Sequence, residues 1–161
     1  MLFSADGYHS LGEISFKSLE LYEQCGRKKL KFLEAYFESK RRDELDVLRQ
    51  LQPYLETSNN PIWLLSVVAK QDLWWNNRED VERRYRDGEY GKTIASITEK
   101  RRADSFRHEF AFASLVIQNL TSGENEVLKK NTAGYGQADQ IASLKTLIER
   151  LDSLLQWENQ Q

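Results

Sequence analysis

The stretch Phe106 to Leu120 constrains the fold more than any other, because from Phe110 to Ile117 the only side chain that is not apolar is Ser114. A helix made of such a run has no face to offer solvent and must be wrapped by other elements. The chain is therefore expected to organise itself around a buried core helix over these residues.

The rest of the sequence favours helices as the wrapping. Leu, Glu, Lys, Arg, Gln and Ala dominate, only Pro53 and Pro61 are prolines, and eight residues are glycine. Strong helix formers with few turn residues predict an all-α fold. With 161 residues, 40% of them apolar and 30% charged, the chain fits one domain over 1–161, large enough to hold a core without disulfide staples. The expected architecture is a single-domain bundle of roughly five or six helices, two of them long and amphipathic.

Residues 1–10 show no sustained period and are read as an irregular lead-in. Leu19, Tyr22, Leu30 and Leu33 then recur at three and four, predicting a first helix from about Leu11 to Ser39 with a bend near Gly26. Leu45, Leu48 and Leu51 predict a second, short helix that Pro53 stops or kinks. Asn60 and Pro61 open a third through Trp63, Leu64 and Val67 to Trp75. Arg78 to Asp87 forms a mostly charged fourth, followed by a turn at Gly88 to Gly91. The fifth begins near Lys92 and continues through the Phe106 to Leu120 core. Asn131 to Gly136 is a flexible loop, and a last helix runs from Gln137 to about Trp157 on a stripe that includes Ile141, Leu144, Leu151 and Leu154.

Net charge is -2, but between Arg27 and Arg42 seven basic residues face only Glu34 and Glu38. Arg27, Lys28, Lys31, Lys40, Arg41 and Arg42 lie there, with further groups at Arg83 and Arg84 and at Lys100 and Arg101. On a common face they would meet nucleic-acid phosphates without reading sequence, as in a small helical subunit of a ribonucleoprotein complex. The opposing consideration is a sequence pI near 5.8, below that of most nucleic-acid domains.

Motifs for chemistry are sparse. No Gly-x-x-x-x-Gly-Lys phosphate loop or Gly-x-Ser-x-Gly elbow occurs, Cys25 is the only cysteine, and the two histidines, His9 and His108, lie in unrelated segments. Neither catalysis nor a cofactor nor a metal is expected. No apolar run approaches the roughly 20 residues that cross a bilayer and no signal peptide opens the chain, so the expected location is cytoplasmic, without membrane contact.

Around His108, the order Ala103-Asp-Ser-Phe-Arg-His-Glu-Phe110 loosely resembles the H-box of sensor histidine kinases, where one helix of a hairpin carries a phosphorylated His followed by an acidic residue. The resemblance implies phosphotransfer through His108, with Leu147 to Leu155 as the second helix. Ala111 and Ala113 stand where that pattern usually has Arg and Pro.

Trp74 and Trp75 are adjacent, so on a helix they point about 100° apart, and the expectation is one buried and one at the surface rather than both fully inside one core. An exposed member would mark a protein interface, since aromatic residues are enriched at hot spots. The leading expectation is a non-catalytic helical subunit or adaptor that works through protein–protein contact or self-association. Nucleic-acid backbone binding, to RNA or DNA, is the alternative and histidine phosphotransfer the third reading.

Overall fold

A computed structural model describes residues 2–4, 16–101, 104–122 and 125–160. The element order is β1 (Leu2–Ser4), α1 (Phe16–Gln24), α2 (Lys29–Thr57), β2 (Ile62–Val68), α3 (Gln71–Trp74), α4 (Arg78–Asp87), α5 (Glu89–Lys100), β3 (Phe106–Phe112), β4 (Leu120–Thr121), β5 (Val127–Lys129) and α6 (Gln137–Glu158). Strands β1, β2 and β3 form a parallel sheet in that order, and β4 pairs with β5 antiparallel. Apart from Leu2–Ser4, the expected lead-in over 1–10 lies outside the described residues, as does His9.

The all-α helical bundle is thereby overturned. The expected third helix is strand β2 followed by the short helix α3, and the expected core helix over 106–120 is strand β3 followed by an irregular crest and β4. The physical reason is that a parallel strand covered on both faces reads as a near-continuous apolar run, as a buried helix does. In β3 the alternation is visible once the strand is known. Phe106, Phe110 and Phe112 join the core that α2, α4 and α5 build with the sheet, whereas Ala111 packs with Leu154 of α6. Arg107 and Glu109 also face α6, bonding Ser153 and Arg150 at 3.0 and 3.1 Å.

The sheet is therefore the middle of three layers. On one side Leu48 and Leu55 of α2, Tyr85 of α4 and Tyr90, Ile94 and Ile97 of α5 close over Leu64, Val68 and Phe106. On the other, α6 lays Leu147, Leu151 and Leu154 against Trp63, Leu65 and Val67. A satellite cluster of Tyr22, Phe32, Tyr36, Leu73, Leu120 and Leu128 joins α1 and the start of α2 to the β4–β5 ribbon.

Two boundaries differ from the periodicity for local reasons. Gly26 and Arg27 both have positive φ, 64° and 54°, and this left-handed pair separates α1 from α2 where a bend was expected. From Lys29, α2 continues through Lys40–Arg42 and past Pro53 to Thr57. Burial of Leu48 and Leu55 against the sheet outweighs the roughly 3 kcal/mol that an interior proline costs. The expected turn at Gly88 to Gly91 shortens to a corner, because α5 starts at Glu89. A side chain on Gly91 would collide with the Arg86 carbonyl, which is why this corner needs glycine. Helices α4 and α6 lie where the sequence places them. Among the described residues, no helix is long and apolar enough to cross a membrane.

Candidate functional site

Open parallel sheets bind ligands in the crevice beyond the carboxyl ends of their strands. Here that edge is the turn after β2, Ala69-Lys-Gln-Asp72, and the crest after β3, Ala113 to Gln118. Lys70 takes a left-handed conformation, φ 56° and ψ 42°, which a side-chain-bearing residue adopts only where its surroundings impose it. The imposing bonds are explicit. Ala113 N–H donates to the Val68 carbonyl at 3.1 Å, Gln71 N–H to the Ala113 carbonyl at 3.3 Å, and the Trp74 indole to the Ala69 carbonyl at 2.8 Å.

Asp72 is the hub of the edge and is 1% exposed. Its carboxylate accepts the Ser114 hydroxyl at 2.6 Å and the Gln118 N–H at 3.2 Å, and its carbonyl accepts the Thr132 N–H at 2.6 Å. One buried side chain thus ties the β2 turn to the β3 crest, and its backbone ties both to the loop before α6.

Beside this hub opens a cleft of about 490 Å³, within the usual range for small-molecule sites. Five cationic side chains line it: Lys40 and Arg41 from α2, Lys70 from the β2 turn, Arg84 from α4 and Lys129 from β5. Glu44 and Asp80 are its carboxylates. Both are engaged, Glu44 by the Tyr85 hydroxyl at 2.5 Å and Asp80 by Arg83 at 3.0 Å. Phe37, Leu73, Trp74 and Tyr85 supply apolar and aromatic wall.

Two of the cations, Arg84 and Lys129, sit in an unfavourable field. Burial, then the neighbouring Arg41, pushes the Arg84 guanidinium below its ordinary value, and the same two causes lower Lys129. Tyr85 is pushed well up by burial and by Glu44, so it remains a hydroxyl donor. Lys40 and Arg41 have Asp43 at 3.5 Å and Glu38 at 3.7 Å beside them, and the lining still carries five cations against two carboxylates, a field that attracts an anion.

Of the basic residues singled out from sequence, the cleft gathers Lys40, Arg41 and Arg84. Arg27 pairs with Glu23 at 2.9 Å next to the α1–α2 break, Lys28 and Lys31 are exposed at the start of α2, and Arg42 is exposed on its far side. Arg83 faces solvent with Asp80, and Lys100 bonds Glu56 at 2.9 Å. Arg101 is 8% exposed, and its two terminal nitrogens are occupied with architecture while its Nε has no hydrogen-bond partner among the described residues. Its guanidinium donates to the carbonyls of Ser58, Asn60 and Ser105, holding the α2–β2 loop against the approach to β3.

Trp74 walls the cleft and meets Phe112 edge-on at 5.8 Å, whereas Trp75 packs on Tyr135 at 5.2 Å under the Arg78 guanidinium. Both are half-buried. Sequence proximity missed Lys70 and Lys129, which stand in separate segments. The pointer to Lys70 was the run Ile62 to Val68, apolar but for Ser66, that gives way after Ala69 to a polar Lys-Gln-Asp turn.

His108 lies on β3, not on a helix of a hairpin. Its Nε2 is 2.9 Å from the Ser66 hydroxyl, itself 2.7 Å from the Tyr90 hydroxyl, and burial followed by the Arg86 charge lowers it to about 4. Ser66 is 0% exposed and His108 half-buried, so this hydroxyl–imidazole pair is a polar link between β2, β3 and α5. Set against protein-family models, curated proteins and solved structures, the chain matches none of them.

Proposed function

We propose that this protein binds a small phosphorylated ligand that also has a planar or apolar portion, a nucleotide being the simplest such molecule, in the cleft at the carboxyl edge of the sheet. The observation that carries the reading is the convergence of Lys40, Arg41, Lys70, Arg84 and Lys129 from four separate segments on one aromatic-walled cavity. Arginine forks suit phosphate oxygens bidentately, and lysines add point charges around them. The aromatic wall offers stacking and apolar area to a base or ring. No reaction belongs to this proposal, and we place the protein in the cytoplasm.

Calorimetric titration with pyrophosphate, adenosine and guanosine triphosphates and the free nucleosides tests it. Binding that needs phosphate, tightens with the base, and is lost in Arg41→Glu and Arg84→Glu but kept in Arg27→Glu supports the cleft. Oligonucleotides in the same series test the broader nucleic-acid alternative, which requires affinity that falls with Arg27, Lys28 and Lys31 removed.

A contact-based role, the leading expectation from the sequence, keeps its own support in an exposed apolar row on α6 rather than in the tryptophan pair.

A further inference from the structure

Helix α6 has two apolar faces, and the sheet uses one. Leu154 is 0% exposed, with Leu147 and Leu151 half-buried beside it against β2 and β3. Ile141, Ile148 and Leu155 are instead 60%, 66% and 41% exposed. They stand seven residues apart, two helical turns each, and so form a straight row about 21 Å long at 1.5 Å per residue. Leu144, half-buried, falls between Ile141 and Ile148 and widens the row at its first turn. The bonds of Arg150 to Glu109 and of Ser153 to Arg107 fix the rotation of α6, and both side chains lie well round the helix from Ile148. The row is therefore on the flank turned away from these β3 contacts.

We infer that α6 pairs antiparallel with α6 of a second copy of this chain, about a two-fold axis passing near Ile148. The inference rests on the contact reading and not on the cleft. Antiparallel pairing brings Ile141 to Leu155 of the other copy and makes the row its own complement, as an isologous interface requires. Charge selects this orientation over the parallel one. Lys145 and Asp152 border the row on its solvent side. In an antiparallel pair centred on Ile148, each Lys145 falls one position from the other copy's Asp152. In a parallel pair the two-fold axis sends this flank of each copy to opposite sides of the seam, so Lys145 and Asp152 gain no partner from the other copy. Lys145 is free to swing, since it is 76% exposed and its Glu149 neighbour stands at 3.8 Å.

Sedimentation velocity from about 1 µM to about 500 µM, the range for a short seam, tests the pair. The expected result is a concentration-dependent dimer whose dissociation constant rises at least about 100-fold in Ile148→Glu, which sets two carboxylates facing at the axis. Lys145→Glu should weaken the dimer and Lys145→Glu with Asp152→Lys should restore it. Because Ile148, Lys145 and Asp152 are on the surface of the single chain, an unchanged thermal melt at low concentration separates lost pairing from lost folding. A monomer throughout overturns the inference. A dimer indifferent to Ile148→Glu also overturns it, while leaving contact through another face standing.

Discussion

Replacing Asp72 with Ala should loosen the whole carboxyl edge of the sheet. The substitution removes the acceptor of two hydrogen bonds, from the Ser114 hydroxyl at 2.6 Å and the Gln118 N–H at 3.2 Å. Bonds to a charged partner contribute about 1.5–3 kcal/mol each, and a buried donor left alone costs about 1–3 kcal/mol. The two losses are unequal. The Val116 carbonyl stands 2.9 Å from the Ser114 hydroxyl, whose single proton can turn to it, whereas the Gln118 N–H has no such second acceptor among the bonds described at the crest. The expected cost is about 2–4 kcal/mol, a large share of the 5–15 kcal/mol that stabilises a domain. In urea, with a slope of about 2 kcal/mol per molar, the midpoint should fall by about 1–2 M. Asp72→Asn should cost less, because its amide oxygen still serves one donor. A double-mutant cycle with Ser114→Ala should return a coupling of about 1 kcal/mol or more. A loss below about 0.5 kcal/mol in Asp72→Ala would refute the hub, since that is the scale of an ordinary surface change.

Arg101→Ala should destabilise by about 3 kcal/mol or more, because the carbonyls of Ser58, Asn60 and Ser105 lose their shared donor. Arg101→Lys should recover only part of that in chemical denaturation, one ammonium being unable to span three acceptors arranged for a planar fork. Stability should also fall on acidification through His108. Its folded value is about 4 against 6.5 when free, so the unfolded chain takes up the proton first. The stabilisation is complete above pH 6.5 and is lost as pH drops toward 4, by up to about 3 kcal/mol. Urea midpoints across that window should slope in the native protein and flatten in His108→Gln.

How legible this was depends on what each element owes to its own residues. Helices α4 and α6 could be read because each keeps a polar face, and Asn77 with Glu79 and Asp80, or Gly136 with Asp139, mark their starts. Strand β2 could not, because a strand covered on both faces has no polar period to show. In β3 the alternation of Arg107 and Glu109 is masked by His108 between them and by the apolar run that follows from Phe110. Ile62 to Val68 is seven residues with only Ser66 polar, and its β-branched content and short length were the available hints. The spacing was a further one, two such runs joined by the helical residues 71–100, as a βαβ unit requires. Ser66 itself makes sense only in three dimensions, where Tyr90 and His108 meet its hydroxyl.

The site shows the same division. Lys40 and Arg41 stand out as neighbours in a basic run, and Arg84 beside Arg83, because sequence reveals charges that are adjacent along the chain. Lys70 and Lys129 are 59 positions apart and enter the cleft only through the β2 turn and the β4–β5 ribbon. Conversely, Arg101 belongs to a basic cluster by sequence and to the interior by structure, since three carbonyls face it across a loop that periodicity does not describe.

The most direct test of the central claim is calorimetric binding of a nucleoside triphosphate to the wild-type chain and to Arg84→Glu, at low and physiological salt. The account predicts saturable binding at one site per chain, weakened by salt and lost on reversing the Arg84 charge. A ligand affinity unmoved by Arg84→Glu, or the absence of binding by any phosphate-bearing compound in the folded wild-type protein at low salt, would contradict it.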